Sequence, residues 1–137
     1  MSLVVLEGLD GSGKGTQAQL LGEALARQGV PLRQVTFPDY SSPSSSLVKM
    51  YLGGEFGSAP EDVNAYAASA FYAVDRFAIF RKDWGEDYSQ GKQILCDRNA
   101  TSKLVYQMGK VPREEWDNYL DWEQGFVDVS VGILRPE

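Results

Sequence analysis

Histidine is absent from this chain of 137 residues, and cysteine occurs once, at Cys96. Without imidazole there is no Ser-His-Asp triad, no Cys-His protease and no zinc or iron site built on histidine. Any acid-base work falls to carboxylates. One thiol closes no intrachain disulfide and makes no multi-cysteine metal site, which fits a reducing compartment, the cytosol by default. Long apolar runs are missing too. The longest near the start is Leu3–Leu6, far short of a signal-peptide core or of the ~20 residues a membrane span needs, so a soluble protein without a membrane partner is expected. Positive charge is also scarce: 13 Lys and Arg stand against 19 Asp and Glu, a formal charge of -6. That balance argues against a nucleic-acid partner, because duplex binding needs clustered cations to neutralise phosphates. A small anionic ligand stays compatible, since a few local donors hold one against a negative mean field.

What is present suits one folded unit. A chain of this length with 43% hydrophobic residues buries roughly two-thirds of its unfolded surface on folding, and a single domain over 1–137 is expected. Ser2–Glu7 is a short apolar run that ends in a Gly-rich turn, and Thr16–Gln28 reads as a helix with Ala18, Leu21 and Leu25 on one face and Gly29 as its stop. Pro31–Phe37 supplies a second strand. The resulting β-α-β opens an α/β fold, a parallel sheet flanked by helices. Ser41–Ser46, reading SSPSSS, suggests a flexible surface loop. Leu47–Leu52 fits a short helix. Ser58-Ala59-Pro60-Glu61 has the form of a capping box opening a longer, largely buried helix that carries Val63, Tyr66, Phe71, Val74 and Phe77 up to about Lys82. Gln93–Cys96 is a third strand ending in Asp97. A helix from about Ala100 to Met108, another opened by Pro112 with Trp116, Tyr119 and Leu120, and a fourth strand over Val127–Leu134 complete the reading.

The strongest signal is Gly8-Leu9-Asp10-Gly11-Ser12-Gly13-Lys14, set between a predicted strand and a predicted helix. This is a Walker A loop, and Gly8, Gly11, Ser12, Gly13, Lys14, Gly15 and Thr16 form its ATP-binding stretch. Glycines let the backbone curl so that successive amide N–H groups point into a concavity, and the helix N-terminus adds partial positive charge. Lys14, solvated until a ligand arrives, reaches the outer phosphates. The plainer alternative is a Gly-rich turn that caps a helix. Where many such loops place a Ser or Thr hydroxyl on Mg²⁺, this one has Gly15, followed by Thr16. That disfavours switch GTPases and motor ATPases and suits a kinase whose Mg²⁺ is held by both substrates' phosphates and by water. Asp97, ending the apolar run Ile94-Leu95-Cys96, is placed to orient a water on that metal; equally, an acid at a strand end caps a turn or a helix. Phosphoryl transfer relies on positioning and nearby cations more than on a histidine base. Asp75-Arg76 and Asp97-Arg98 offer guanidinium groups suited to phosphate, or else they are two local ion pairs.

Taken together, Glu7-Gly8-Leu9-Asp10-Gly11-Ser12-Gly13-Lys14-Gly15-Thr16-Gln17, Phe37-Pro38, Asp75-Arg76-Phe77, and Asp97-Arg98 followed by Ser102 and Tyr106-Gln107 resemble thymidylate kinase, the family that phosphorylates dTMP with ATP. The segment YLGGEFG at Tyr51–Gly57 and the loop ending GKGT look closest to members from Gram-positive bacteria. The resemblance runs from about Ser2 to Gln107. It implies a P-loop nucleotide-kinase fold, with ATP and Mg²⁺, in a cytoplasmic homodimer that uses helices beside the sheet, the apolar helix Val63–Phe80 being either a candidate interface or ordinary core. It also implies roles. Asp10 would sit by the sugar 3′-hydroxyl and the acceptor phosphate, Lys14 would bridge the donor's outer phosphates, and Arg98 would meet the dTMP phosphate. These three form the catalytic set. Arg76 would approach the thymine edge and Tyr72 would stack on the base. Phe37 with Pro38 would wall the pocket, and Ser102, Tyr106 and Gln107 would line it. Tyr72 and Tyr106 either serve that pocket or simply pack in their helices.

Two departures stand out. Asn99 replaces the aromatic that usually follows the Asp-Arg pair. Family members also continue into an arginine-bearing lid, whereas this sequence ends at Glu137 and carries Gly11 where some members have a basic residue, so a C-terminally incomplete kinase domain is expected. The residues leave three readings open: a dTMP kinase, a P-loop kinase of another deoxynucleotide or of a nucleoside, and a nucleotide-binding module with weak catalysis.

Overall fold

The three apolar runs pair side by side. In the computed structural model, which describes residues 2–8, 11–97 and 106–124, strands β1 (Ser2–Leu6), β2 (Leu32–Thr36) and β3 (Gln93–Asp97) form a parallel sheet in the order β1-β3-β2. β3 lies between the other two, and its Ile94, Leu95 and Cys96 are all buried. A strand covered on both faces needs a continuous apolar run rather than an alternating one. β2 pairs only with β3 among the described residues, and its Gln34 and Thr36 are exposed.

Helix α1 (Lys14–Arg27) links β1 to β2 and begins two residues before the expected Thr16. Ala18 and Gly22 are its buried positions, and a Cβ on Gly22 would run into the Gln34 amide of β2.

The serine-rich segment is ordered, contrary to the flexible loop its composition suggests. Pro43–Ser45 is a 3₁₀ turn leading into α2 (Ser46–Leu52). Asp39 Oδ1 accepts from the Ser41 amide at 3.0 Å and from its hydroxyl at 2.6 Å, and buried Ser45 donates to the Ser42 carbonyl at 2.9 Å. Short hydroxyl side chains satisfy the local backbone here, so polarity rigidifies the turn instead of loosening it.

The long helix also starts later than the capping-box reading places it. Asp62 Oδ2 accepts from the Ala59 amide at 2.9 Å and closes a separate 3₁₀ turn, Pro60–Asp62. Helix α3 (Ala65–Ile79) begins beyond it, capped by Asn64 Oδ1 accepting from the Ala67 amide at 2.9 Å. Burial follows one face, Ala65, Ala68, Ser69, Ala73, Asp75, Arg76 and Ile79, while Val74 and Phe77, expected inside, are 45% and 46% exposed.

After Ile79 the helix widens into a π turn, Phe80–Trp84, before α4 (Gly85–Ser89), neither of which the periodicity announced. The Gly85 amide donates to the Phe80 carbonyl. A Cβ on Gly85 would lie 2.5 Å from that same oxygen. Replacing glycine by alanine inside a helix normally stabilises by about 1 kcal/mol; at this junction the sign reverses. Gly85→Ala is expected to destabilise by about 1–3 kcal/mol through forced backbone displacement, read as a lower urea midpoint. A midpoint equal to or above that of the parent chain would disprove the crowding.

Arg33 of β2 ties this region to the sheet edge, with Nη2 at 2.5 Å from Asp83 and Nη1 at 3.0 Å from Asp87, which also meets Lys92 Nζ at 2.7 Å. Helix α5 (Trp116–Gln124), entered through the 3₁₀ turn Arg113–Glu115, packs Tyr119 and Leu120 with Ala65, Met108 and Val111. The Tyr119 hydroxyl is hydrogen-bonded to that of Ser69, joining α5 to α3. Of the helix expected over Ala100–Met108, residues 106–108 are helical; its beginning and the strand expected over Val127–Leu134 lie outside the described residues.

Candidate active site

Parallel pairing places three strand ends in one row. Leu6 of β1 and Thr36 of β2 are both in register with Asp97 of β3. Whatever follows each strand therefore shares one sheet edge: the glycine loop after β1, Phe37-Pro38 after β2, and Asp97 itself. The Phe37 amide extends the ladder by donating to the Asp97 carbonyl at 3.2 Å, and the Phe37–Pro38 peptide is cis. Open α/β sheets bind ligands in the crevice at these carboxyl ends.

On one side of the row is the glycine loop. Gly11 and Gly13 adopt φ of 77° and 87°, the left-handed region that favours glycine, and a Cβ on Gly8 would lie 2.7 Å from Ser12 Oγ. Helix α1 starts at Lys14 with no side-chain cap and no acid in its first turn. Its leading amides thus have no side-chain cap, an end of the helix whose dipole favours negative charge. Thr16 is exposed, and nothing stands within 4 Å of a Cβ built on Gly15.

Lys14 is not solvated as expected: its side chain is 12% exposed and its Nζ lies 3.8 Å from Asp97 Oδ1. That carboxylate oxygen is buried with no hydrogen-bond donor. An acceptor of this kind beside an anion cradle fits a role in orienting a water of a phosphate-bound Mg²⁺. Among the described residues no group of three or more Asp, Glu, Cys or His gathers to cage a metal directly.

On the other side, Phe37 is buried and Arg76 Cζ lies 6.0 Å from its ring centroid. Half-buried Tyr72 packs against the same cluster, and burial pushes its phenol pKa well above the ordinary value, keeping the hydroxyl neutral. The local ion-pair alternative for Asp75-Arg76 is not what the structure contains, because adjacent residues on a helix do not face each other. Arg76 Nη2 donates instead to Glu123 Oε1 at 2.9 Å, and Asp75 Oδ1 accepts from Ser44 Oγ at 2.6 Å.

Gln107 is buried and donates to the Tyr51 hydroxyl at 3.3 Å, which also accepts from Lys110 Nζ at 3.0 Å. The Lys110 ammonium sits 5.4 Å from the ring centres of both Tyr51 and Tyr106. Tyr106 is 58% exposed, so core packing does not explain it. Asp10, Arg98 and Ser102 lie outside the described residues.

Tyr51, Lys110, Ser44 and Glu123 were not singled out as site residues from sequence. Tyr51 belongs to the YLGGEFG segment noted for its resemblance; Glu123 carries no local signal, since its partner is 47 positions away.

Asp75 has a measurable signature. It is fully buried, its Oδ2 has no hydrogen-bond donor, and burial raises its carboxyl pKa above the ordinary range against the opposing Ser44 bond. A raised acid keeps in the folded state a proton that the unfolded chain releases. Stability therefore falls as pH rises from the ordinary carboxylate range through the folded-state value. Asp75→Asn should show a stability relative to the parent that grows across that window and levels off above it. A pH-independent difference in thermal melts would refute the assignment.

Residues 6–123 match the family model described as thymidylate kinase. Thymidylate kinase of Caenorhabditis elegans is 30% identical, over 98% of this chain and 59% of the relative, and the Homo sapiens enzyme is 29% identical over 99% and 58%. The chain thus spans little more than half the length of these relatives. Among solved structures, thymidylate kinase from Ehrlichia chaffeensis superposes with a TM-score of 0.70 at 25% identity, covering 93% of this chain and 69% of that one. The Candida albicans enzyme gives 0.65 at 27% identity over 91% and 56%. With its family model matching residues 6–123, the chain belongs to the thymidylate kinase family.

Proposed function

We propose that the chain serves ATP-dependent phosphorylation of dTMP, yielding dTDP and ADP. The observation that carries this reading is the shared register of Leu6, Asp97 and Thr36, which brings the glycine loop after β1 and Phe37 after β2 to the same edge of the sheet. In this reading the loop from Gly8 to Thr16 holds the donor phosphates, and Lys14 exchanges part of its contact with Asp97 for the outer phosphates. Phe37 and Tyr72 flank the base, with Arg76, Ser102, Tyr106 and Gln107 at its edge and at the sugar. Asp10 and Arg98 serve the acceptor phosphate, as the family resemblance implies. Mg²⁺, with Asp97 placed to orient one of its waters, would supply charge neutralisation for the transferring group. An oxygen of the dTMP phosphate forms a bond to Pγ while the bond from Pγ to the β,γ-bridging oxygen breaks, leaving that electron pair on ADP. The attacking phosphate is already anionic, so no histidine base is required.

Exposed Val74 and Phe77 on α3 support a homodimer through that helix. No helix among the described residues is long and apolar enough to cross a membrane. Cys96 is buried with its thiol pKa pushed up to about 12, which suits a cytosolic setting in which the thiol stays protonated and unused.

The test is calorimetric binding of dTMP, dUMP, dCMP, dGMP and thymidine to the chain, with ADP release from Mg²⁺-ATP measured for each. Tight dTMP binding with ADP release that is highest for dTMP supports the proposal. A preference for thymidine or for another monophosphate would replace it with a different kinase. Binding without any ADP release would favour the binding-module reading.

A further inference from the structure

The Arg76–Glu123 pair is the most deeply buried ion pair among those described, its side chains 8% and 0% exposed, and the substrate roles given above leave Glu123 unused. Burying two charges costs several kcal/mol of lost hydration each, so a pair at this depth is weak evidence for stability and calls for another reason. Arg76 supplies one. Its Nη2 is taken by Glu123, while Nε and Nη1 are buried with no hydrogen-bond partner. Unpaired buried donors are costly, and a guanidinium has no acceptor capacity to offer in exchange. The planar group stands beside the ring of Phe37, the residue that follows β2.

Resting on the dTMP reading above, we propose that Glu123 is the positioning residue for base selection. By pairing with Arg76 it offsets the guanidinium charge and holds its plane, leaving two donors for a neutral carbonyl at the base edge. That chemistry accepts the 4-oxo group of thymine or uracil. It rejects the 4-amino group of cytosine, which would set donor against donor, and with the charge compensated it gives no advantage to a second phosphate. Glu123 reaches Arg76 from α5 because Tyr119, one turn earlier, is anchored to Ser69 on α3.

The experiment is calorimetric titration of the 137-residue chain with dTMP and dCMP, with Mg²⁺-ADP as the control for the glycine loop. Glu123→Gln keeps the shape and one acceptor but removes the charge. It is expected to weaken dTMP binding about tenfold and to narrow the preference for dTMP over dCMP by a similar factor. In an Arg76→Ala background the same substitution should change neither value, because its effect passes through the guanidinium. Arg76→Lys, which keeps the charge pair but loses the fork, should lose the discrimination too. Equal weakening of dTMP and dCMP, a loss that persists without Arg76, or full discrimination in Arg76→Lys would each overturn the proposal while leaving the dTMP reading intact. If the parent chain itself does not distinguish dTMP from dCMP, the dTMP reading falls, and the assignment of Glu123 falls with it.

Discussion

Lys14→Ala is expected to bind Mg²⁺-ATP about ten- to a hundredfold more weakly than the parent chain, the range for losing a charge-assisted contact to phosphate. The loop's backbone amides survive the change, so affinity drops without vanishing. Folding should suffer little. Lys14 is largely covered and faces a buried Asp97 oxygen, but at 3.8 Å the two share no hydrogen bond and the Asp97 side chain as a whole is 28% exposed; screened in this way the pair contributes about 1 kcal/mol. The outcome to look for is a large change in ATP affinity beside a nearly unchanged melting temperature. Unchanged affinity would remove Lys14 from the phosphate site. A large fall in melting temperature would mean that the pair with Asp97 is chiefly structural.

Ile94→Ala is the substitution with the largest expected cost in stability, about 2–5 kcal/mol. Ile94 is completely buried on the central strand and belongs to one cluster with Phe37, Ile79, Trp84 and Cys96. Removing three carbons there leaves a cavity beneath Phe37 that a sheet paired on both sides of β3 has little freedom to close. Against a typical total of about 5–15 kcal/mol this is a large fraction. Urea denaturation measures it directly. Because Phe37 also flanks Arg76, nucleotide affinity should loosen in the folded fraction as well; a cost under about 1 kcal/mol would show that the cluster repacks around the void.

Much of the glycine loop was legible in the sequence because its conformation is local. The glycines, Lys14 and the helix start follow one another within a few residues, and backbone conformation alone curls them at the head of the helix. β3 was equally legible: only a strand covered on both faces needs Ile94, Leu95 and Cys96 in succession. Where the reading failed, a short-range pattern had met a competing partner. The serine run looked loose from its composition, yet Asp39 and Asp75 bind its hydroxyls. Ser58 looked like the cap of the long helix, but Asp62 closes a separate turn and Asn64 caps the helix instead. The π turn at Phe80–Trp84 left no mark in a pattern read at 3.6 residues per turn.

The sequence by itself determined the α/β class and the glycine loop between strand and helix in a chain without histidine, since those features depend on residue type and close spacing. Only the tertiary structure decided which charges meet. Lys14 finds Asp97 across 83 positions, Arg76 finds Glu123 across 47, and Asp75 finds Ser44 across 31. Such pairings are set by strand register and by how helices pack on the sheet, and neighbouring residues along the chain carry no trace of them.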